Sequence, residues 1–394
     1  MSTGRRRLTT TTDLGRWNAE AVLDVLYDRE PRTNAELARE TGLSRSTVER
    51  ALDLLVEQGV VGKSEPVALV SGRPAVLYQL RPEFGYLLAI DVGAHTVRAR
   101  VDDLAGPKAG LDAGAAEPEQ ATVDPSDSAE VRLSAVARVT DQALAGAGIG
   151  REQVRAVAVG TPGIVDSDGV IMLCWVIRSG DWTGDRLRAW VRDRFPAATV
   201  TVENDANLAV LAEQRFGVAG SAEDVVVVFA GRRVGLGIVH RGELHRGAHH
   251  QAGEAANIRD SRWGRASSWL YGRQADVPAL FASAEAGQQV AVDDVAELAE
   301  LLGDACAEVV QTIDPELIVL SGALSLAGAT IGGPLAERFK QACRGMVEPD
   351  LRLSTLGRRP VLLGAAESAR RQAFEHLLDD ARPQLPSASP RRRS

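Results

Sequence analysis

The sequence predicts two folds in one chain: a small winged helix-turn-helix in front, and a large α/β body of two lobes behind it. Three observations predict this. Two helices with cap residues at their starts, Thr33 and Ser44, are separated only by Gly42 and its neighbours. The charge divides unevenly: residues 1–82 carry 12 Lys/Arg against 11 Asp/Glu, the rest 33 against 42. From residue 84 to 380, strand-like and helix-like segments alternate. A chain of 394 residues suits more than one core. Three scattered cysteines, Cys174, Cys306 and Cys343, exclude a disulfide framework and a close metal-ligand pair. No run of 18 apolar residues predicts a membrane span, and no apolar segment follows the first arginines as in a secretory signal. The expected location is the cytoplasm.

In the first module, residues 17–30 read as a helix with Ala21, Val22, Leu23, Val25, Leu26 and Tyr27 on its apolar side. Thr33 and Glu36 have capping-box spacing, and Gly42 ends that second helix. Ser44 caps the third, with Leu43 and Val48 at hydrophobic-staple positions and Val48, Leu52 and Leu55 as the buried stripe. This leaves Arg45, Ser46, Glu49 and Arg50 at the exposed N-terminal end, the part a recognition helix offers to the major groove. Segments 60–65 and 75–80 form a wing, with Arg73 near its tip for the minor groove or a phosphate. The expected domain is 1–82, a reader of double-stranded operator DNA.

The segment AELARETGLSRSTVERALDLLVEQGVV, followed by SGRPAVLYQL, resembles the front of transcriptional regulators of the ROK family (repressors, open reading frames and kinases). The resemblance extends to about residue 380. It implies an actin/hexokinase-like (ASKHA) body over 83–381, serving as effector and dimerisation domain, with 382–394 as a disordered tail. Asp91, Gly93 and Thr96 in DVGAHT are similar to the first phosphate turn of that superfamily, although His95 stands where a small residue is usual. GTPG, with Gly163, resembles the sugar-side loop. In ENDAN, Asp205 matches the catalytic base of family kinases and Asn204 a sugar-hydroxyl partner. A bare helix cap is the alternative for Asp205.

GRRVGLG (231–237) aligns with the second phosphate loop and keeps Gly235 and Gly237, but Arg232 and Arg233 replace a threonine and a glycine. Glu254 matches a sugar ligand, and Asn257 stands at the position of a family histidine. Family zinc-ligand positions hold Asn257, Ser261, Trp263 and Ser268, and a second sugar-binding glutamate is Leu270. Asn, Ser and Trp cannot form a tetrahedral zinc site, so no metal and no cofactor are expected. Packing by Trp263, Trp269 and Leu270 is expected to hold this loop instead, and RRPVLLG is expected as a strand before a last helix. The resemblance implies a DNA-binding regulator, a repressor in expectation, whose operator affinity changes when a sugar or sugar derivative binds the body. It is expected to act as a homodimer or dimer of dimers, with no membrane partner and with kinase activity lost. The alternative is an ATP-dependent ROK-type sugar kinase.

Overall fold

The computed structural model describes residues 11–65, 75–107, 118–273 and 277–380, without the side chains of 11–13, 82 and 378–380. The chain divides into two compact units. One holds residues 1–86, 103–108 and 370–394; the other holds 87–102 and 109–369. The expected boundary at 82 therefore shifts to 86. Two segments assigned by sequence to the large body, 103–107 and 370–380, belong to the reader's unit. The tail at 382–394 lies outside the described residues.

The reader begins with α1 (Thr11–Leu26), β1 (Arg32–Thr33), α2 (Asn34–Thr41) and α3 (Arg45–Glu57). It closes with β2 (Val61–Lys63) and β3 (Leu77–Leu80), which form an antiparallel sheet in the order β1-β3-β2. Helix α1 starts six residues before the expected Trp17 and stops at Leu26 rather than 30. Its first turns show no apolar stripe, because Leu14 and Trp17 are exposed. It stops where the chain turns left-handed at Arg29, whose φ is 69°. The Thr33–Glu36 capping box is formed, Gly42 is left-handed, and the Ser44 side chain accepts the Thr47 amide. Val48, Ala51, Leu52 and Leu55 of α3 are buried with Val22, Leu23 and Leu26 of α1.

The larger unit contains two lobes. The first is built from β4 (Tyr86–Val92), β5 (Thr96–Asp103), β6 (Glu119–Thr122), α4 (Ala129–Ala147), β7 (Val154–Thr161), the small pair β8 (Ile164–Val165) and β9 (Ile171–Leu173), α5 (Arg186–Arg194) and β10 (Thr199–Asn204). Its sheet order is β10-β7-β4-β5-β6. Helix α6 (Asp205–Phe216) leads to the second lobe: β11 (Val225–Ala230), β12 (Val234–His240), β13 (Glu243–Leu244), α7 (Arg262–Gly272), α8 (Val277–Glu285), α9 (Gln289–Thr312), β14 (Leu317–Ser321), α10 (Ala329–Ala342) and β15 (Asp350–Leu353). Its sheet order is β13-β12-β11-β14-β15. Numbered within each lobe, both orders read 3-2-1-4-5 from one edge. Each starts from a hairpin, and each lays its fourth and fifth strands parallel. The second lobe thus repeats the first.

The cores follow from the strands. Val226, Val228 and Ala230 face α7–α10, while Val225 and Val227 face Ala209 and Val210 of α6. Sheets covered on both faces read as continuous apolar runs, as VVVV does. Helix α11 (Pro360–Asp380) ends the fold. The expected strand in RRPVLLG is absent: Pro360 opens α11, where its missing N–H costs nothing, and Val361, Leu362 and Leu363 are buried on that helix.

Candidate functional site

Two hairpin turns and one helix N-terminus build the site between the lobes. The first turn joins β4 to β5. Asp91 lies at the end of β4 and is 8% exposed. Burial pushes its carboxyl up to about 6, against the pull of Arg98, whose Nη1 lies 3.4 Å from Oδ2. The Gly93 amide donates to the Thr96 carbonyl at 2.9 Å and closes the turn. Behind it is Arg132 of α4, fully buried, which donates to the carbonyls of Gly93 (2.7 Å) and Asp124 (2.6 Å). Sequence reading missed Arg132. Its signal is an arginine among Ala129, Leu133 and Val136 on the buried face of α4.

The second turn is only Gly231–Arg233, between β11 and β12. Gly235 and Gly237 lie inside β12, not in a loop. The reading of 231–237 as one phosphate loop is corrected accordingly. A Cβ at Gly237 would sit 2.2 Å from the Ala206 carbonyl, and one at Gly235 3.2 Å from the Ala206 methyl. These glycines let α6 approach its sheet. Arg232 reaches across: its Nη1 donates to His95 Nε2 at 2.9 Å. Two of the residues that depart from the family pattern, one in each turn, are therefore partners. Burial, then the charges of Arg232, Arg132 and Arg178, hold the His95 imidazole below its usual pKa, with Asp124 opposing. Arg233 stacks on Tyr271 at 4.5 Å.

The helix N-terminus is that of α6. Asn204 is its cap: Oδ1 accepts the amides of Ala206 (2.8 Å) and Asn207 (3.1 Å). Its Nδ2 donates to the Gly163 carbonyl at 2.8 Å. Both acceptor sites of Asn204 are thus filled, and one N–H remains for a ligand. Gly163 has φ 112°, and a Cβ there would lie 2.4 Å from the Leu173 carbonyl, so only glycine fits the GTPG turn at that point. Buried Trp182 supports the same turn by donating to Thr161 Oγ1 at 3.2 Å.

Asp205 follows the cap. Burial, then the charge of Asp91 and, less strongly, that of Glu254, push its carboxyl up to about 7, although the Ala206 amide opposes. Asp91, Asp205 and Glu254 therefore share one electrostatic neighbourhood. Glu254 sits on a short 3₁₀ turn (Glu254–Asn257), is raised by burial, and accepts from Asn257 Nδ2. Asn257 itself is exposed. Below the cap, Glu203 accepts from Arg246 at 2.6 and 2.8 Å and from Asn207 at 2.9 Å. Arg246 is a second residue that sequence reading missed; its partner lies 43 positions away.

The zinc-position residues do other work. Ser261 caps α7, accepting the Gly264 amide at 2.9 Å and donating to the Ile258 carbonyl at 2.7 Å. Trp263, Trp269 and Leu270 are buried on α7, a helix where a loop was expected. Hydroxyl, amide and indole groups do not fit zinc, and no group of three His, Cys, Asp or Glu among the described residues could hold a metal.

In the reader, Arg45, Ser46, Glu49 and Arg50 are all exposed at the start of α3. Ser46 Oγ lies 3.0 Å from Ser44 Oγ, and Arg50 Nε donates to the Ser46 carbonyl at 3.2 Å. Arg73 lies outside the described residues.

A capped helix pair with a wing, joined to a twice-repeated 3-2-1-4-5 lobe, defines a helix-turn-helix protein with a sugar-kinase-like body. The ROK family model matches residues 87–262 and 260–372, and the IclR helix-turn-helix domain model matches residues 18–65. The chain belongs to the ROK family and carries an N-terminal helix-turn-helix domain, as the known transcriptional regulators of that family do. It is 22% identical to the xylose repressor of Caldicellulosiruptor bescii over 359 residues, 82% of this chain and 87% of the relative. The crystal structure of a ROK family transcriptional regulator, a homologue of the Escherichia coli MLC protein, matches with a TM-score of 0.68 at 19% identity. It covers 93% of this chain and 98% of its own. A ROK family glucokinase from Streptomyces griseus, in complex with glucose and AMPPNP, matches with a TM-score of 0.60 at 25% identity. It covers 73% of this chain and all of its own.

Proposed function

We propose that this chain is a DNA-binding transcriptional regulator, a repressor, whose operator affinity changes when a sugar or sugar derivative binds between the lobes. The observation that carries this reading is the exposed start of α3, where Arg45, Ser46, Glu49 and Arg50 leave the reader's core free to pack beneath them. Such a helix end reads base edges and phosphates. The likeness to a xylose repressor along 82% of the chain supports the same reading. Asn204, Asp205 and Glu254 supply polar partners for sugar hydroxyls, with Gly163 and Asn257 fixing two of them. One recognition helix reads only a few base pairs, so a homodimer or dimer of dimers on an inverted repeat is part of the proposal, as is a cytoplasmic location. The test is selection of duplexes from a random pool by the full chain, followed by anisotropy titrations with and without aldoses. Failure to select any sequence removes the proposal.

Kinase activity is proposed to be lost, because Arg232 and His95 join the two turns whose backbone would have to approach phosphates. A sugar kinase is the second reading. The carboxyl of Asp205, pushed up to about 7, favours it, since a general base works best with a pKa near the ambient pH. A hexose assay with Mg-ATP separates the two.

A further inference from the structure

The reader's unit includes two segments far from it in sequence, and both are held by specific side chains. Asp103, the last residue of β5, takes both terminal nitrogens of Arg29, each at 2.8 Å. The same guanidinium reaches the Gly106 carbonyl at 3.4 Å. Arg29 occupies the left-handed region at φ 69°, which favours glycine. Its amide donates to the Leu26 carbonyl at 3.0 Å, ending α1, and its carbonyl accepts from Gln79 of β3 at 2.8 Å. One residue thus joins the first helix, the wing strand and the 103–106 turn. Arg370 of α11 stacks on Tyr27 at 4.6 Å and lies 3.4 Å from Asp24 Oδ1.

Strand β5 is continuous from Thr96 to Asp103. It starts beside His95, which Arg232 holds, and ends on the carboxylate that Arg29 holds. We propose that the Arg29–Asp103 ion pair is the coupling contact through which occupancy of the inter-lobe site changes DNA affinity, with β5 as its lever. The proposal rests on the regulatory reading above. Arg29 is a positioning residue: it precedes α3, whose exposed start would meet DNA, and it is not among the residues proposed to meet sugar. Backbone geometry at 29 calls for glycine, so an arginine there is explained by what its guanidinium grips.

The test uses the full chain as wild type, Arg29→Gly, Asp103→Asn and the charge-reversed pair Arg29→Asp with Asp103→Arg. Arg29→Gly relieves the left-handed backbone while removing the grip, so it separates coupling from folding. Calorimetry with D-xylose and D-glucose should give wild-type affinities in every variant. Anisotropy on the duplex that wild type selects, with and without the same sugars, should show a wild-type affinity change of about 5–150-fold. This change should collapse below about twofold in both single variants and recover in the reversed pair. Hydrogen exchange should rise at 22–29 and 103–107 in Arg29→Gly and stay unchanged at 87–92. An undiminished sugar response in Arg29→Gly and Asp103→Asn overturns the proposal, as does unchanged exchange at 103–107. A wild type that selects DNA but ignores every sugar instead defeats the regulatory reading, and the coupling falls with it.

Discussion

Arg232 and His95, 137 positions apart, hydrogen-bond across the two lobes at 2.9 Å. They occupy corresponding turns of the repeated sheet, each between a lobe's first and second strands. To accept from a guanidinium, His95 must be neutral at Nε2, and its lowered pKa keeps it so at neutral pH. The contact puts a bulky cation and a ring where a kinase of this fold would bring backbone amides to phosphate oxygens.

Phosphoryl transfer is therefore expected to be at least a hundredfold below the roughly 1–100 s⁻¹ of ordinary kinases. A coupled assay with Mg-ATP and a hexose panel measures it. The double variant Arg232→Gly, His95→Ser should bind ATP more tightly than wild type in a calorimetric titration. Equal affinities would show that this pair does not obstruct the nucleotide.

Zinc should be absent from protein purified without chelator, at well under one ion per chain by elemental analysis. Ser261 spends its hydroxyl on capping α7, and Trp263 is packed in the second lobe's core. Stoichiometric zinc that survives dialysis would reverse this expectation.

Asp205 should make stability depend on pH in a stated direction. Its carboxyl is raised from 3.8 to about 7, so the folded chain holds a proton that the unfolded chain gives up earlier. The folded form is thus favoured below pH 4, and that contribution is lost as pH rises toward and through 7. Asp91, raised to about 6, acts in the same sense. Asp205→Asn should unfold at a higher temperature than wild type at pH 8, and the advantage should shrink by pH 5. Each kcal/mol recovered is worth at most roughly 2–4 °C, the figure for domains of about 150–250 residues, in this longer chain. A variant less stable at pH 8 than at pH 5, relative to wild type, contradicts the burial of an ionisable carboxyl here.

Glu254→Ala should weaken sugar binding by about 1.5–3 kcal/mol, the worth of a hydrogen bond to a charged group. Isothermal calorimetry with the aldose that binds wild type best reads this directly. Unaltered affinity would take Glu254 out of the site.

Arg50→Ala should cost about 1–3 kcal/mol on the selected operator if Arg50 grips a base edge, with relaxed sequence preference. If it touches phosphate, the loss should be uniform across sequences and the salt slope should fall by about one. No loss in either assay would remove Arg50 from the DNA-binding surface.

The parts legible in the sequence were those encoded locally. Thr33 with Glu36, Ser44 with Thr47 and left-handed Gly42 each act within a few residues, and each is formed as read. The ENDAN segment was placed at a strand end running into a helix, and β10 and α6 meet there. The cap role fell to Asn204, one residue before the expected candidate. Glycines at 235 and 237 read as a loop because permissive backbone and close packing leave the same letter; here packing on α6 decided. Val361-Leu362-Leu363 looks like a strand, but Pro360 starts a helix and the surrounding core accepts that helix's apolar face. The pairings of Arg29 with Asp103, Arg132 with Gly93 and Arg246 with Glu203 span 74, 39 and 43 positions. No local pattern announces such contacts.

The reader's unit draws on residues 370–380, although its helix-turn-helix lies within the first 57. A ribosome makes the recognition helix early and Arg370 more than 300 residues later. At about 5–20 residues per second, the nascent helix-turn-helix waits roughly 15–60 s for the partner of Tyr27. Until then Asp24 of α1 and Tyr27, just past its end, have no α11 to meet. Truncation anywhere before residue 370 would leave the reader's unit without the Arg370 that stacks on Tyr27 and lies beside Asp24.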